Sequence, residues 1–170
     1  MRKVTVILLS LAAIAAAIAL RCTAERPEWT SSSPAAIEAF EQGLSAEKKI
    51  YRNEAREHFA RAVELDPDFA MARLRLLSLA PPDKEKPKRM RALIAETDLE
   101  RLSAREQFLM RHTLALLDQD RARADALLAA YLQEKPNDLY ALTIRCDGLW
   151  GAQKLQEAEQ CFSKLLTIDS

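Results

Sequence analysis

Apolar positions in this chain recur at helical rather than strand spacing. From Arg52 to Leu65, the residues Ala55, Phe59 and Ala62 fall at i, i+4 and i+7, which is one face of a helix. An earlier helix is predicted from about Ala35 to Lys49, with Ser33 as its cap and Pro34 at its first position. Asp66-Pro67-Asp68 ends the second helix and caps the next, AMARLRLLSLA, which Pro81-Pro82 stops. The polar, basic run PPDKEKPKRMR follows. Pro87 fits only at or before the first turn of a short helix whose inner side carries Met90, Leu93 and Ile94. Ser103 to Glu106 (SARE) is a capping-box pattern and starts a helix running to about Leu117. Further helices are expected over about 121–134, from the Asn137-Asp138 cap to near Trp150-Gly151, and over about 153–168. The pattern is four helical hairpins at about 36–69, 70–104, 105–138 and 139–170, the second least regular.

Composition narrows the class. There are 170 residues, enough for one ordinary domain, and only three glycines, Gly43, Gly148 and Gly151. That excludes a glycine-rich phosphate loop and disfavours a β-rich fold. Charge balances at zero over the whole chain; without residues 1–24, which carry Arg2, Lys3, Arg21 and no acid, it falls to −3. A mildly acidic body argues against nucleic acid as a partner. Residues 1–24 read as a signal peptide or an N-terminal membrane anchor. Met1-Arg2-Lys3 is basic, and Val4 to Leu20 holds no charge over seventeen residues. Cleavage after Ala24, with Cys22 and Ala24 as the small residues, is one outcome; an uncleaved span at the short end of bilayer length is the other. A lipoprotein is a third reading, but Arg21 stands where a small residue is wanted before Cys22. All three deliver the body across a membrane. Residues 25–34 form a polar linker.

Three positions repeat: Gly43, Ala55 and Phe59; then His112, Ala124 and Leu128; then Cys146, Ala158 and Phe162. The sets are 69 and then 34 residues apart, and Pro67 and Pro136 close the first and third units. A period of 34 with small residues at helix contacts resembles the tetratricopeptide repeat (TPR) family. AVELDPDFAMARLRL and RLSAREQFLM look especially like the arrays that accompany bacterial receptor-type serine/threonine kinases, although no kinase domain precedes them here. The resemblance covers about 36–170. It implies an all-α, right-handed α-solenoid of about four TPR-like hairpins, after an N-terminal apolar helix. It also implies a non-catalytic protein–protein scaffold or adaptor in the bacterial cell envelope, periplasmic or anchored in the inner membrane facing the periplasm. The alternatives are a sensor-type remnant of a receptor, or a thiol-active accessory of an envelope enzyme working through Cys146.

TPR-like arrays bind partners along the concave face lined by the first helix of each unit. Mapped here, that gives Ile37, Phe40 and Leu44; then Leu109, Thr113 and Leu116; then Tyr140, Thr143, Asp147 and Trp150. This mixed apolar and aromatic set suits an extended or helical peptide. Phe40 and Leu44 stand where chaperone-binding members need a carboxylate clamp, so chaperone-tail binding is not expected. The linker from Glu25 to Ser33 could itself lie in the groove through Trp29.

Candidate chemistry is sparse. His58 and His112 are the only histidines, and His112 takes the place of Gly43 and Cys146, a helix-contact position that implies a packed spacer. No metal motif and no nucleophile–base motif occurs, so no cofactor, metal or catalytic residue is expected. Cys146 and Cys161 lie on two antiparallel helices at similar distance from their turn, which makes a disulfide in an oxidising compartment one reading and two buried thiols the other. The basic residues Lys84, Lys86, Lys88, Arg89 and Arg91 could meet an anionic partner or simply face water. The chain stops at the end of its fourth unit, so Leu155, Leu166 and Ile168 are expected on a partly bare edge suited to self-association.

Overall fold

In a computed structural model of the chain, residues 28–168 are described, and the signal or anchor segment 1–24 lies outside them. The described residues are helical with no strand. They form α1 (Pro34–Lys48), α2 (Arg52–Leu65), α3 (Ala70–Leu79), α4 (Lys86–Glu96), a short 3-10 turn (Leu99–Arg101), α5 (Ala104–Leu117), α6 (Arg121–Glu134), α7 (Leu139–Gly151) and α8 (Leu155–Ile168). No helix among them is long and apolar enough to cross a membrane.

The starts and stops follow from local chemistry. Ser33 accepts from the Ala36 N–H, with Pro34 at the first helical position of α1. Ser103 and Glu106 make both bonds of a capping box at α5. Asp120 and Asp138 cap α6 and α7 through their carboxylates. Pro87 sits in the first turn of α4, where its missing N–H costs nothing.

Three helix ends share one geometry. Ile50, Gln119 and Gln153 have φ of 66°, 60° and 59°, and they stand 69 and 34 residues apart, the same steps as Gly43, His112 and Cys146. At each, the next N–H reaches back to a carbonyl five residues earlier: Tyr51 to Ala46, Asp120 to Ala115 and Lys154 to Leu149, all at 2.9–3.0 Å. This is the Schellman closure of a helix C-terminus. The turns from α2 and from α6 also match: Phe69 N–H bonds Asp66 O around Pro67, and Asp138 N–H bonds Lys135 O around Pro136. The two connections of the second hairpin depart: α4 leads to α5 through the extended Thr97 and the 3-10 turn, and the α3–α4 connection is built on prolines. Pro81-Pro82 ends α3, and Lys86 Nζ caps its free carbonyls, donating to Ser78 O and Ala80 O at 2.5 and 2.8 Å.

Consecutive helices pack on one another along the chain. The core runs from Trp29 and Phe40 through Phe59, Phe69 and Met71 to Met110 and Leu142. Small residues set the closest approaches. A Cβ on Gly43 would stand 2.5 Å from Phe59 Cε1, so α1 and α2 meet over a bare backbone. At the matching place in the last hairpin, Cys146 and Cys161 are joined as a disulfide between α7 and α8, with Cα atoms 5.4 Å apart.

Candidate functional site

The face formed by α3, α5 and α7 holds an open cavity of about 700 Å³. Its floor is apolar: Leu74 from α3, Leu109 and Leu116 from α5, and Ile144 from α7. Its charged groups are Arg75, Arg121, Arg145 and Lys154, facing Asp125 and Asp147. Arg75 leans on Glu47 at 3.7 Å, but its Nε is buried with no hydrogen-bond partner. Burial around the Asp147 carboxyl raises its pKa above the ordinary value. His112 also lines the cavity. It is buried against Phe108, and that burial lowers its pKa; Asp125 opposes the shift and Arg121 adds to it. A neutral, packed ring at this position fits a spacer between helices.

The structure divides the groove positions inferred from the sequence. Leu109, Thr113, Leu116 and Asp147 line the cavity, and Leu116 is 41% exposed. Leu109 lies on its floor yet is itself buried. Phe40 and Leu44 are core residues, at 0% and 4% exposure. Helical spacing shows which side of α1 they occupy but not what covers that side; over Phe40 the cover is Trp29 of the chain's own N-terminal strap together with Phe59 and Phe69. Ile37 is half-buried against the same core. Tyr140 lies under the strap, half-buried, its hydroxyl pKa pushed up to about 12 by burial. Thr143 is exposed and bonds back to Leu139 O at 2.8 Å. Trp150 is 61% exposed and stands outside the cavity lining.

The strap is residues 28–33. Trp29 is 2% exposed, edge-on to Phe40 (ring centroids 4.8 Å) and to Tyr140 (5.5 Å). The Arg105 guanidinium lies over both rings, 5.4 Å from Trp29 and 5.2 Å from Tyr140. Arg105 is ion-paired with Glu28 and with Asp138, its Nε donating to Asp138 Oδ2 at 2.7 Å. Tyr131 donates its hydroxyl to the same oxygen at 2.9 Å; burial first, and then the Asp138 charge, push its pKa up to about 12.

Beyond the tryptophan, the strap satisfies two buried carboxylates. Glu106 is wholly buried, and Thr30 donates its N–H to Oε1 at 3.0 Å and its hydroxyl to Oε2 at 2.6 Å. The Ser103 N–H donates to Oε2 as well, at 2.9 Å, and the Ser103 hydroxyl to Glu28 O at 3.0 Å. Asp66 accepts from the Ser31 hydroxyl at 2.5 Å and the Ser32 N–H at 3.0 Å. Burial alone would raise its pKa, but the bonds from Ser31, Ser32 and Asp68 outweigh that and lower it. Six residues thus tie α1 and α2 to α5 and α7, over elements far apart in sequence.

Sequence reasoning raised Trp29 as a groove occupant and missed Glu106, Arg105, Asp138 and Asp66. Glu106 carried a signal, but the capping box accounted for it with Ser103 alone. The basic run is mostly spent inside the molecule: Lys86 caps α3, Arg89 meets Asp83 at 2.6 Å, and Arg91 meets Asp118 at 2.9 Å. His58 lies 3.9 Å from Glu54 on the outer side of α2. Among the described residues no cluster of His, Cys, Asp and Glu could hold a metal. Leu155 and Leu166 are exposed on α8, Leu166 to 72%. The chain matches no known family model and no curated protein.

Proposed function

We propose that this chain is a non-catalytic TPR-like scaffold: a right-handed solenoid of about four hairpins that holds a protein or peptide partner in the bacterial cell envelope. The matched turns at Ile50, Gln119 and Gln153 support the repeat reading, because one backbone geometry recurs at the spacing of the sequence repeat. The single observation that carries the binding reading is the open cavity on α3, α5 and α7. It combines an apolar floor with charged groups, among them Arg75, whose buried Nε has no hydrogen-bond partner, as peptide sites do. Residues 4–20 deliver or anchor the body, and the exposed leucines of α8 offer a surface for self-association. Thiol chemistry is not part of the proposal, because Cys146 is buried and bonded to Cys161.

The test is purification of the tagged chain from bacterial membranes after mild crosslinking, beside the double variant Leu116→Asp plus Arg145→Glu. Both residues are exposed, so the variant should keep the fold, which circular dichroism checks. A stoichiometric envelope partner present with the parent and absent with the variant is the expected result. A partner held equally by both, or none with either, overturns the reading.

A further inference from the structure

We propose that the cleft filled by residues 28–32 is a sequence-reading peptide site, held in cis by the chain's own strap. It takes in trans an extended segment of the same chemistry: an acid, an indole, then two or more hydroxyl residues. The proposal deepens the scaffold reading and rests on it.

The cleft has a separate reader for each strap residue. Arg105 pairs with the acid Glu28, and its guanidinium also covers the indole. Phe40 and Tyr140 wall the indole pocket. Glu106 takes both the N–H and the hydroxyl of Thr30, a fork that only serine or threonine satisfies in full. Asp66 reads Ser31 by its hydroxyl and Ser32 by its N–H.

These readers are positioned without the strap. Glu106 is fixed by its reciprocal bonds with Ser103, at 2.9 and 3.3 Å. Arg105 is fixed by Asp138, which Tyr131 and the Ala141 N–H hold in turn. Asp66 keeps the Asp68 N–H at 3.1 Å. A cleft built this way stays assembled when its occupant leaves, and preorganisation of that kind favours ligand exchange. The strap has no helix or strand of its own, so main-chain and side-chain contacts to the cleft are what hold it.

Cleft and cavity residues also share helix faces. Glu106 and Leu109 lie one turn apart on α5; Tyr140, Ile144 and Asp147 follow at i, i+4 and i+7 on α7. A longer partner that displaced the strap would run on over the cavity floor.

The test is fluorescence anisotropy with a labelled peptide RPEWTSSS, the sequence of residues 26–33, against the full chain in mild detergent. Two strap-weakened chains, Trp29→Ala and Thr30→Val, are compared with the parent after each is shown folded by circular dichroism. Loosening the cis competitor should tighten apparent peptide binding by about tenfold, the equivalent of ~1.4 kcal/mol. Peptides with Trp→Ala or with Thr→Val should bind at least tenfold more weakly to the same chains, by the same conversion. Folded variants that take up no peptide, or that take all three peptides alike, overturn the proposal. So does loss of folding in both variants, since the strap would then be an inseparable part of the core. If the peptide fails while the cavity variant still loses its partner, the exchange site falls and the scaffold reading stands.

Discussion

Replacing Thr30 with valine keeps the side chain's shape and branching and removes one hydroxyl. That hydroxyl donates to Glu106 Oε2 at 2.6 Å and accepts from the Ser103 N–H at 3.2 Å. Ser103 keeps its other acceptor, Glu106 itself, so no backbone donor is orphaned. The loss falls on the carboxylate, which retains two donors, the N–H groups of Thr30 and Ser103, at a site with no water contact. A hydrogen bond to a charged group contributes about 1.5–3 kcal/mol, so Thr30→Val should cost about 2 kcal/mol. For a chain of this length that is a fall in Tm of about 4–8 °C. The chain has two tryptophans, one buried in the strap and one 61% exposed at Trp150. In a Trp150→Phe background, emission therefore reports Trp29 alone while circular dichroism reports the helices. If the strap is bonded into the whole array, both signals fall together at the lower temperature. If it detaches first, emission shifts to the red while helix content is still full. A change below about 0.5 kcal/mol in both signals would refute the argument, because that is less than an ordinary net hydrogen bond and would mean water serves Glu106 as well as Thr30 does.

Other outcomes follow from single contacts. Gly43→Ala improves helix propensity by about 1 kcal/mol but drives a Cβ to 2.5 Å from the fully buried Phe59 ring, so a net loss of about 1–2 kcal/mol is expected. A urea midpoint at or above the parent's would contradict it. Cys146→Ser with Cys161→Ser opens a loop whose ends are 15 residues apart, with an expected loss of about 3 kcal/mol in urea under oxidising conditions. An unchanged midpoint would show that the crosslink contributes nothing. His112 has a folded pKa below its ordinary 6.5, so the unfolded chain takes the proton first. Its contribution to stability is full above pH 6.5 and declines as pH falls from there through the folded value. Urea midpoints measured across that window should slope downward toward acid, and His112→Gln should flatten the slope.

The helices were legible because their ends carry side-chain instructions. Ser33, Asp138 and the Ser103–Glu106 pair announce starts, and Pro67, Pro81 and Pro136 announce stops. The similar distances of Cys146 and Cys161 from their turn left a disulfide and two buried thiols both open, and the structure joins them. The groove was legible only as a side of each helix. Phe40 and Leu116 share the pattern, yet one is sealed and the other is 41% exposed. Depth depends on what lies across from a helix, and at Phe40 that is Phe59, Phe69 and the Trp29 ring of a six-residue strap with no periodicity to read. Glu106 shows the limit most plainly. Its spacing from Ser103 explains the two bonds of the capping box, while its partnership with Thr30 spans 76 residues and leaves no local trace.

The turn at Ile50 holds an unused reserve. A β-branched residue in the left-handed region is a steric outlier, costing about 1–2 kcal/mol relative to glycine or asparagine. Gln119 and Gln153 meet the same backbone demand with unbranched side chains. The Ile50 side chain does nothing for packing in return, since it is 81% exposed. Ile50→Asn should therefore raise the thermal midpoint while leaving the α1–α2 contact unchanged; a fall would mean the isoleucine is covered in the working protein. The Ile50 turn is thus a place where the chain can be strengthened without touching any surface assigned to binding. That makes Ile50→Asn the natural background for destabilising changes in the strap, where a variant must stay folded to be informative.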